Sequence, residues 1–234
     1  MNRKNIILTL ALLLFGWQLL SGQTTISNIP STDVIEPRSF YGEVNFGGHF
    51  SKYETGGFQT YGVKSLYGLT RNVEIGANFT YTRNGADSPV EFGPNVKWKA
   101  FQNEKHKVAV TGGLMAFIPV RAAEGSRPIA MVYANASKGF DFAKGFRLTG
   151  GFYQLVGAKA GSGNRKGAIL GYEQTVYKKI SFFADWTSGK NRFGYAAAGL
   201  SIPLSKRNII YAGYNFGNGG RGNNWFNITF GRFF

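Results

Sequence analysis

Cysteine is absent from the 234-residue chain. An exported protein without it must hold itself together by backbone pairing and packing, and a lipidated N-terminal cysteine is excluded. Histidine is nearly absent too, with only His49 and His106. Beyond Leu20 no apolar run approaches the roughly 20 residues that a helical membrane span needs. No metal-ligand cluster, phosphate-binding loop or dinucleotide motif occurs, so no catalytic residue, metal ligand or cofactor is assigned. Acidic residues are scarce, 12 against 27 Lys and Arg. What is abundant is glycine, 33 residues, and aromatic side chains, 16% of the chain. Combined with a mean hydropathy of −0.16, they fit a sheet with one small, polar face and one aromatic face. A helical membrane protein would be far more hydrophobic.

Arg3 and Lys4 precede an apolar run from Ile6 to Leu20, followed by the small Ser21 and Gly22. This is the pattern of a secretory signal peptide over residues 1–22. Residues 23–39 contain Pro30 and Pro37 among Ser, Thr, Asn and Asp without an apolar period. They read as a mobile periplasmic lead-in; the alternative is a segment that tucks into a lumen or binds a partner. Residues 40–234 form one further unit, with no shift in composition to suggest a second domain.

Within that unit, alternation with period two recurs. Phe226, Ile228, Phe230, Arg232 and Phe234 oppose Trp225, Asn227, Thr229, Gly231 and Phe233. The same holds for Phe40 to Ser51, Val73 to Thr82 and Val90 to Ala100, and more noisily for eight further segments, which makes twelve strands. Their lengths suit the roughly 9 to 11 residues of a tilted membrane strand. Short polar turns alternate with somewhat longer Gly-, Asn- and Ser-rich loops, none beyond about ten residues. The fold expected is all-β: a transmembrane antiparallel up-and-down barrel of about twelve strands, its apolar face toward lipid and both termini periplasmic, located in the bacterial outer membrane.

The chain carries +15, or +13 without Arg3 and Lys4. Placement argues against nucleic acid, since no basic run is interleaved with aromatics as a stacking groove would be. The outer loops and strand ends gather Lys52, Arg83, Arg121, Arg127, Lys159, Arg165, Lys166, Lys190, Arg192 and Arg221 against Glu54, Asp87 and Glu124. Outer-membrane lipid, lipopolysaccharide phosphates above all, is the partner such a rim would attract. Lumen faces take Glu43, His49, Lys64, Glu74, Glu91, Lys97, Lys99, Arg147, Glu173 and Asp185. Glu43, Lys64, Glu74 and Lys97 alternate in sign on four consecutive strands, and Arg147, Glu173 and Asp185 form a second group. One reading is a cross-strand ion-pair network that fills and stiffens the barrel, helped by inward Tyr133, Tyr153, Phe183 and Tyr211. The other is a charged constriction that selects small polar solutes.

His49-Phe50-Ser51 places an imidazole and a hydroxyl two residues apart. That spacing resembles outer-membrane phospholipase A and lipid A deacylase, whose chemistry is acyl transfer from a serine activated by histidine. Here the alternation turns both side chains inward, away from lipid, unless Gly47-Gly48 forms a bulge. Tyr67-Gly68-Leu69-Thr70-Arg71-Asn72-Val73-Glu74-Ile75-Gly76 and Phe92-Gly93-Pro94-Asn95-Val96-Lys97-Trp98-Lys99 resemble small barrels common in Bacteroidetes and transporter barrels assigned to a phenol-degradation pathway. The resemblance covers about a quarter of the chain and speaks to architecture and location more than to substrate. Phe230 and the terminal Phe234 resemble the aromatic end that barrel-assembly machinery recognises.

The expected function is therefore a passive channel or transporter for small solutes, not an enzyme. The alternatives are an accessory barrel with a filled lumen, bound to partners in a larger outer-membrane complex, and a lipid acyl hydrolase acting through His49 and Ser51.

Overall fold

The computed structural model describes residues 24–85, 88–121, 126–158, 162–220 and 224–234. The expected signal peptide, residues 1–22, and Asp87, Glu124, Lys159 and Arg221 of the expected outer rim lie outside them. Twelve strands follow one another: β1 Phe40–His49, β2 Phe58–Gly68, β3 Val73–Arg83, β4 Val90–Asn103, β5 Val108–Arg121, β6 Ile129–Gly139, β7 Arg147–Val156, β8 Lys166–Tyr177, β9 Ile180–Thr187, β10 Tyr195–Pro203, β11 Asn208–Gly217 and β12 Trp225–Phe233. Each pairs antiparallel with its sequence neighbours, and β12 pairs with β1, so the sheet closes. The only other regular element among the described residues is a 3-10 turn at Tyr53–Thr55.

Closure has no frayed seam. Val44 opposes Phe230 and Tyr41 opposes Phe233, and the Phe234 N–H donates to the Phe40 carbonyl at 2.9 Å. A closed ladder leaves no strand edge unpaired, which is what an apolar environment demands of backbone N–H and C=O groups. Along the strands, Val44, Val63, Phe79, Phe152, Ile228 and Phe230 stand outward and exposed, while Tyr41, Glu74, Lys97, Tyr153, Phe183 and Thr229 point inward and are buried. This is the inverse of a soluble sandwich and the arrangement expected of a barrel surrounded by lipid. Strands β4 and β5 run longer than their alternation suggests, because a register shift between Lys99 and Phe101 lets the pairing continue to Asn103 and Val108.

The lead-in departs from a mobile tail. From Ser39 the chain hooks over Gly68: the Arg38 N–H donates to the Gly68 carbonyl, and the Gly68 N–H to the Ser39 carbonyl. It then enters the barrel. A Cβ on Gly68 would lie 2.0 Å from the Glu36 carbonyl oxygen, so only glycine leaves this doorway open. Inside, residues 24–31 turn back as a small hairpin, with Thr25 opposite Pro30, the Ile26 N–H on the Ile29 carbonyl, and the Ser31 N–H on the Thr24 carbonyl. Ile26, Ile29, Ser31, Thr32, Val34 and Ile35 are all buried. Over residues 24–35, the described part that is buried, the segment tucks into the lumen. The mobile reading failed because it weighed local pattern alone, and these side chains are buried by a wall that sequence neighbours do not supply.

Candidate functional site

The lumen charges converge on this hairpin. Strand register first pairs them with one another: Glu43 lies opposite Lys64, Glu74 opposite Lys97 and Arg147 opposite Glu173. The ion pairs follow, Lys64 to Glu43 at 3.5 Å, Lys97 to Glu74 at 3.7 Å and Arg147 to Glu173 at 2.7 Å. A buried charge needs both a counter-charge and hydrogen bonds to offset its desolvation; Glu43 accepts one from the Tyr41 hydroxyl at 2.9 Å, and further bonds go to residues 24–35. Lys97 donates to the carbonyls of Thr24 (2.5 Å) and Asp33 (2.8 Å). Lys64 donates to the Thr25 hydroxyl at 3.2 Å. Glu74 accepts the Ile35 N–H at 2.9 Å. Arg147 also clasps the Asp33 carboxylate at 2.7 Å.

At the hairpin's tip, Asp185 accepts the backbone N–H groups of Ser27 and Asn28, both at 2.8 Å. The Asn28 amide reaches on to Asn215 at 2.7 Å. On the opposite wall, Asn135 donates to the Pro30 carbonyl at 2.6 Å and Thr32 shares a hydrogen bond with Ser137 at 2.5 Å. Ile26 and Ile29 enter an apolar cluster with Met131, Tyr133, Tyr153, Leu155, Ile169, Phe183 and Tyr211. Gly171 makes room for them: a Cβ there would come within 2.5 Å of Ile26 and 2.9 Å of Ile29.

Satisfaction of the wall is incomplete. Thr111 Oγ1, Asn135 Oδ1 and Thr149 Oγ1 are buried without a hydrogen-bond partner among the described residues. Each such buried group carries a desolvation cost.

Three of the lumen residues lie apart from this network. Lys99 sits at the end of the barrel where the chain enters and bonds the Gln102 side chain at 2.8 Å. Glu91 sits at the far mouth, held bidentately by Arg192 at 2.8 and 3.0 Å. His49, also at the far mouth, has its Nδ1 2.5 Å from the Asn224 carbonyl. Register through Gly47 and Gly48 is continuous on both sides, so no bulge turns His49 outward. Ser51 lies past the end of β1, its hydroxyl bonded to that of Thr55. Phe234 packs on Phe40 with ring centres 5.5 Å apart, and Arg232 lies over the Phe234 ring at 5.4 Å. Phe230 faces outward.

Sequence reasoning missed the hairpin's own contributors, Asp33, Ser27 and Asn28. A usable signal was there: Ser27-Asn28 is turn chemistry, flanked symmetrically by Ile26 and Ile29.

No protein-family model matches the chain, and no curated protein matches its sequence. Solved structures do match in fold. The COG4313 outer membrane channel from Pseudomonas putida F1 superposes with a TM-score of 0.54 at 13% identity, covering 93% of this chain and 100% of that one. An active-site mutant of outer membrane phospholipase A from Escherichia coli gives 0.52 at 14% identity, covering 92% and 98%. At these identities the likeness is one of architecture: this chain has the fold of a twelve-stranded outer-membrane β-barrel.

Proposed function

We propose that the protein is an outer-membrane channel for small polar or mildly amphipathic solutes that rests closed, with residues 24–35 as a removable stopper. The observation that carries this reading is that the ladder of twelve strands closes without those residues. The stopper is moored by side-chain contacts and can leave without opening the barrel. The lumen wall is polar: Asn135 and Ser137 hydrogen-bond the segment, and Thr111, Thr149, Ser201 and Thr229 are buried on the same inward face, so water would satisfy these groups once the segment withdrew. On this reading both termini face the periplasm, the far mouth faces outward, and the basic outer rim sits among lipopolysaccharide phosphates. The likeness of Tyr67 to Gly76 and Phe92 to Lys99 to phenol-pathway transporter barrels belongs to the same reading.

The test is planar-bilayer recording of the full chain beside a variant lacking residues 24–36. The full chain is expected to be quiet or to flicker, and the deletion to conduct in discrete steps. Silence from a deletion that still forms the barrel would sink the proposal.

A second reading, an accessory barrel with a permanently filled lumen, draws on the seating of Ile26 and Ile29 in the aromatic cluster. It expects both proteins to be silent, and extraction in mild detergent to retain a partner. Lipid hydrolysis through His49 and Ser51 has less behind it, since the two side chains bond different partners. Unchanged lipase activity in Ser51→Ala would end it.

A further inference from the structure

Beyond the hairpin's tip, the far mouth holds an open cavity of about 380 Å³, within the size range of small-molecule sites. No residue of the hairpin lines it. Its walls come from the far ends of β3 to β6 and from the loops after β3, β5, β7 and β9, so it is a vestibule above the stopper. Two features decide its chemistry. The one acid lining it among the described residues, Glu91, is already taken by the fork of Arg192, whose guanidinium also lies 5.3 and 5.0 Å over the rings of Phe117 and Phe193. Arg127 lines the same cavity and has no ion-pair partner among the described residues. Among the described residues, one cation therefore faces the space without a counter-charge.

The remaining lining is half apolar, through Val90, Pro119 and Ile129, and half hydroxyl, through Thr80, Thr82 and Ser126. Among the described residues, a cationic ligand would meet only an engaged carboxylate. A sugar needs open aromatic faces to stack on, and those of Phe117 and Phe193 are covered by Arg192. We infer that this vestibule binds a small amphipathic monocarboxylate, its acid on Arg127 and its apolar body against Val90, Pro119 and Ile129. Positive potential from the surrounding rim, including Arg121 and Lys166, would raise the local concentration of such anions. The inference deepens the channel reading by naming what waits at the mouth, and it rests on that reading for the direction of traffic but not for binding.

The experiment is calorimetric titration of the full chain in lipid nanodiscs with hexanoate, with hexanamide as the neutral isostere and empty nanodiscs as the blank for partitioning. Hexanoate is expected to bind and hexanamide not to. Arg127→Gln should weaken hexanoate roughly tenfold or more, the size of a lost charge-assisted bond, and Arg127→Lys should restore part of it. Glu91→Gln releases Arg192 and is expected to tighten binding several-fold, a gain that a misfolded variant could not produce. Equal binding of the amide, no binding of hexanoate above the blank, or indifference to both Arg127→Gln and Glu91→Gln would each overturn the inference. Failure of the hairpin deletion to conduct would instead sink the channel reading and leave this binding result standing.

Discussion

Arg147 shows how one side chain serves two structures. It holds Glu173, which belongs to the wall, and Asp33, which belongs to the segment inside the lumen proposed as the stopper. Removing the cation strands two carboxylates at once, so Arg147→Met should cost about 3–5 kcal/mol, read as a lower urea midpoint for loss of the compact, heat-modifiable barrel on gels. Asp33→Asn spares the wall pair and should leave that midpoint nearly unchanged while raising open probability in bilayers. Equal effects of the two variants on the barrel would contradict this division. Gly171→Val addresses the hairpin from the other side. Its methyl groups would claim the space of Ile26 and Ile29, and overpacking of this kind costs about 1–3 kcal/mol, which the stopper can escape by withdrawing. The expected result is a conducting, still heat-modifiable barrel.

The hairpin itself can be pinned. Thr32 and Ser137 touch through their hydroxyls, and no native cysteine competes. A Thr32→Cys, Ser137→Cys pair should therefore be silent when oxidised and should open on reduction; conductance indifferent to reductant would exclude hairpin movement as the gate. How much of this was legible in the sequence differs between elements. Strands such as β1, β3 and β12 could be read almost to the residue, because lipid on one side and a polar lumen on the other force a strict period of two. The same alternation put Glu43, Lys64, Glu74 and Lys97 on the inner face of four consecutive strands, and the register then paired them. The hairpin was not legible, since its burial comes from side chains more than 100 residues away, such as Asn135 and Asp185. A segment that takes its order from the wall carries no periodicity of its own beyond the Ser27-Asn28 turn. The lumen charges could be assigned to a face, but their second partners could not, for the same reason.

Taken together, the chain is an apolar belt between two basic rims, with a centre whose charges are nearly all spent on one another and on residues 24–35. Barrel and stopper should therefore melt separately. Deleting residues 24–36 is expected to lower the temperature at which heat-modifiability is lost, because Glu74, Lys97 and Asp185 lose hydrogen bonds, yet to leave a folded barrel, since the β1–β12 seam does not involve them. Unfolding of the deletion variant at room temperature would mean that the hairpin is part of the core. Phe234 belongs to that seam through its ring on Phe40 and its N–H on the Phe40 carbonyl. Phe234→Ala should reduce the yield of inserted barrel in pulse-chase assays more than it lowers the melting temperature of what inserts.

The hook of residues 36–39 around Gly68 has one more outcome. Because it ties the stopper to β1 by only a few residues, reclosure is an encounter within one chain, and the stopper meets its seat at an effective concentration of the order of millimolar. A free peptide of residues 24–35 offered to the deletion variant has no such leash. It should block the pore only as its own concentration approaches that range, whereas the tethered copy shuts however dilute the protein becomes.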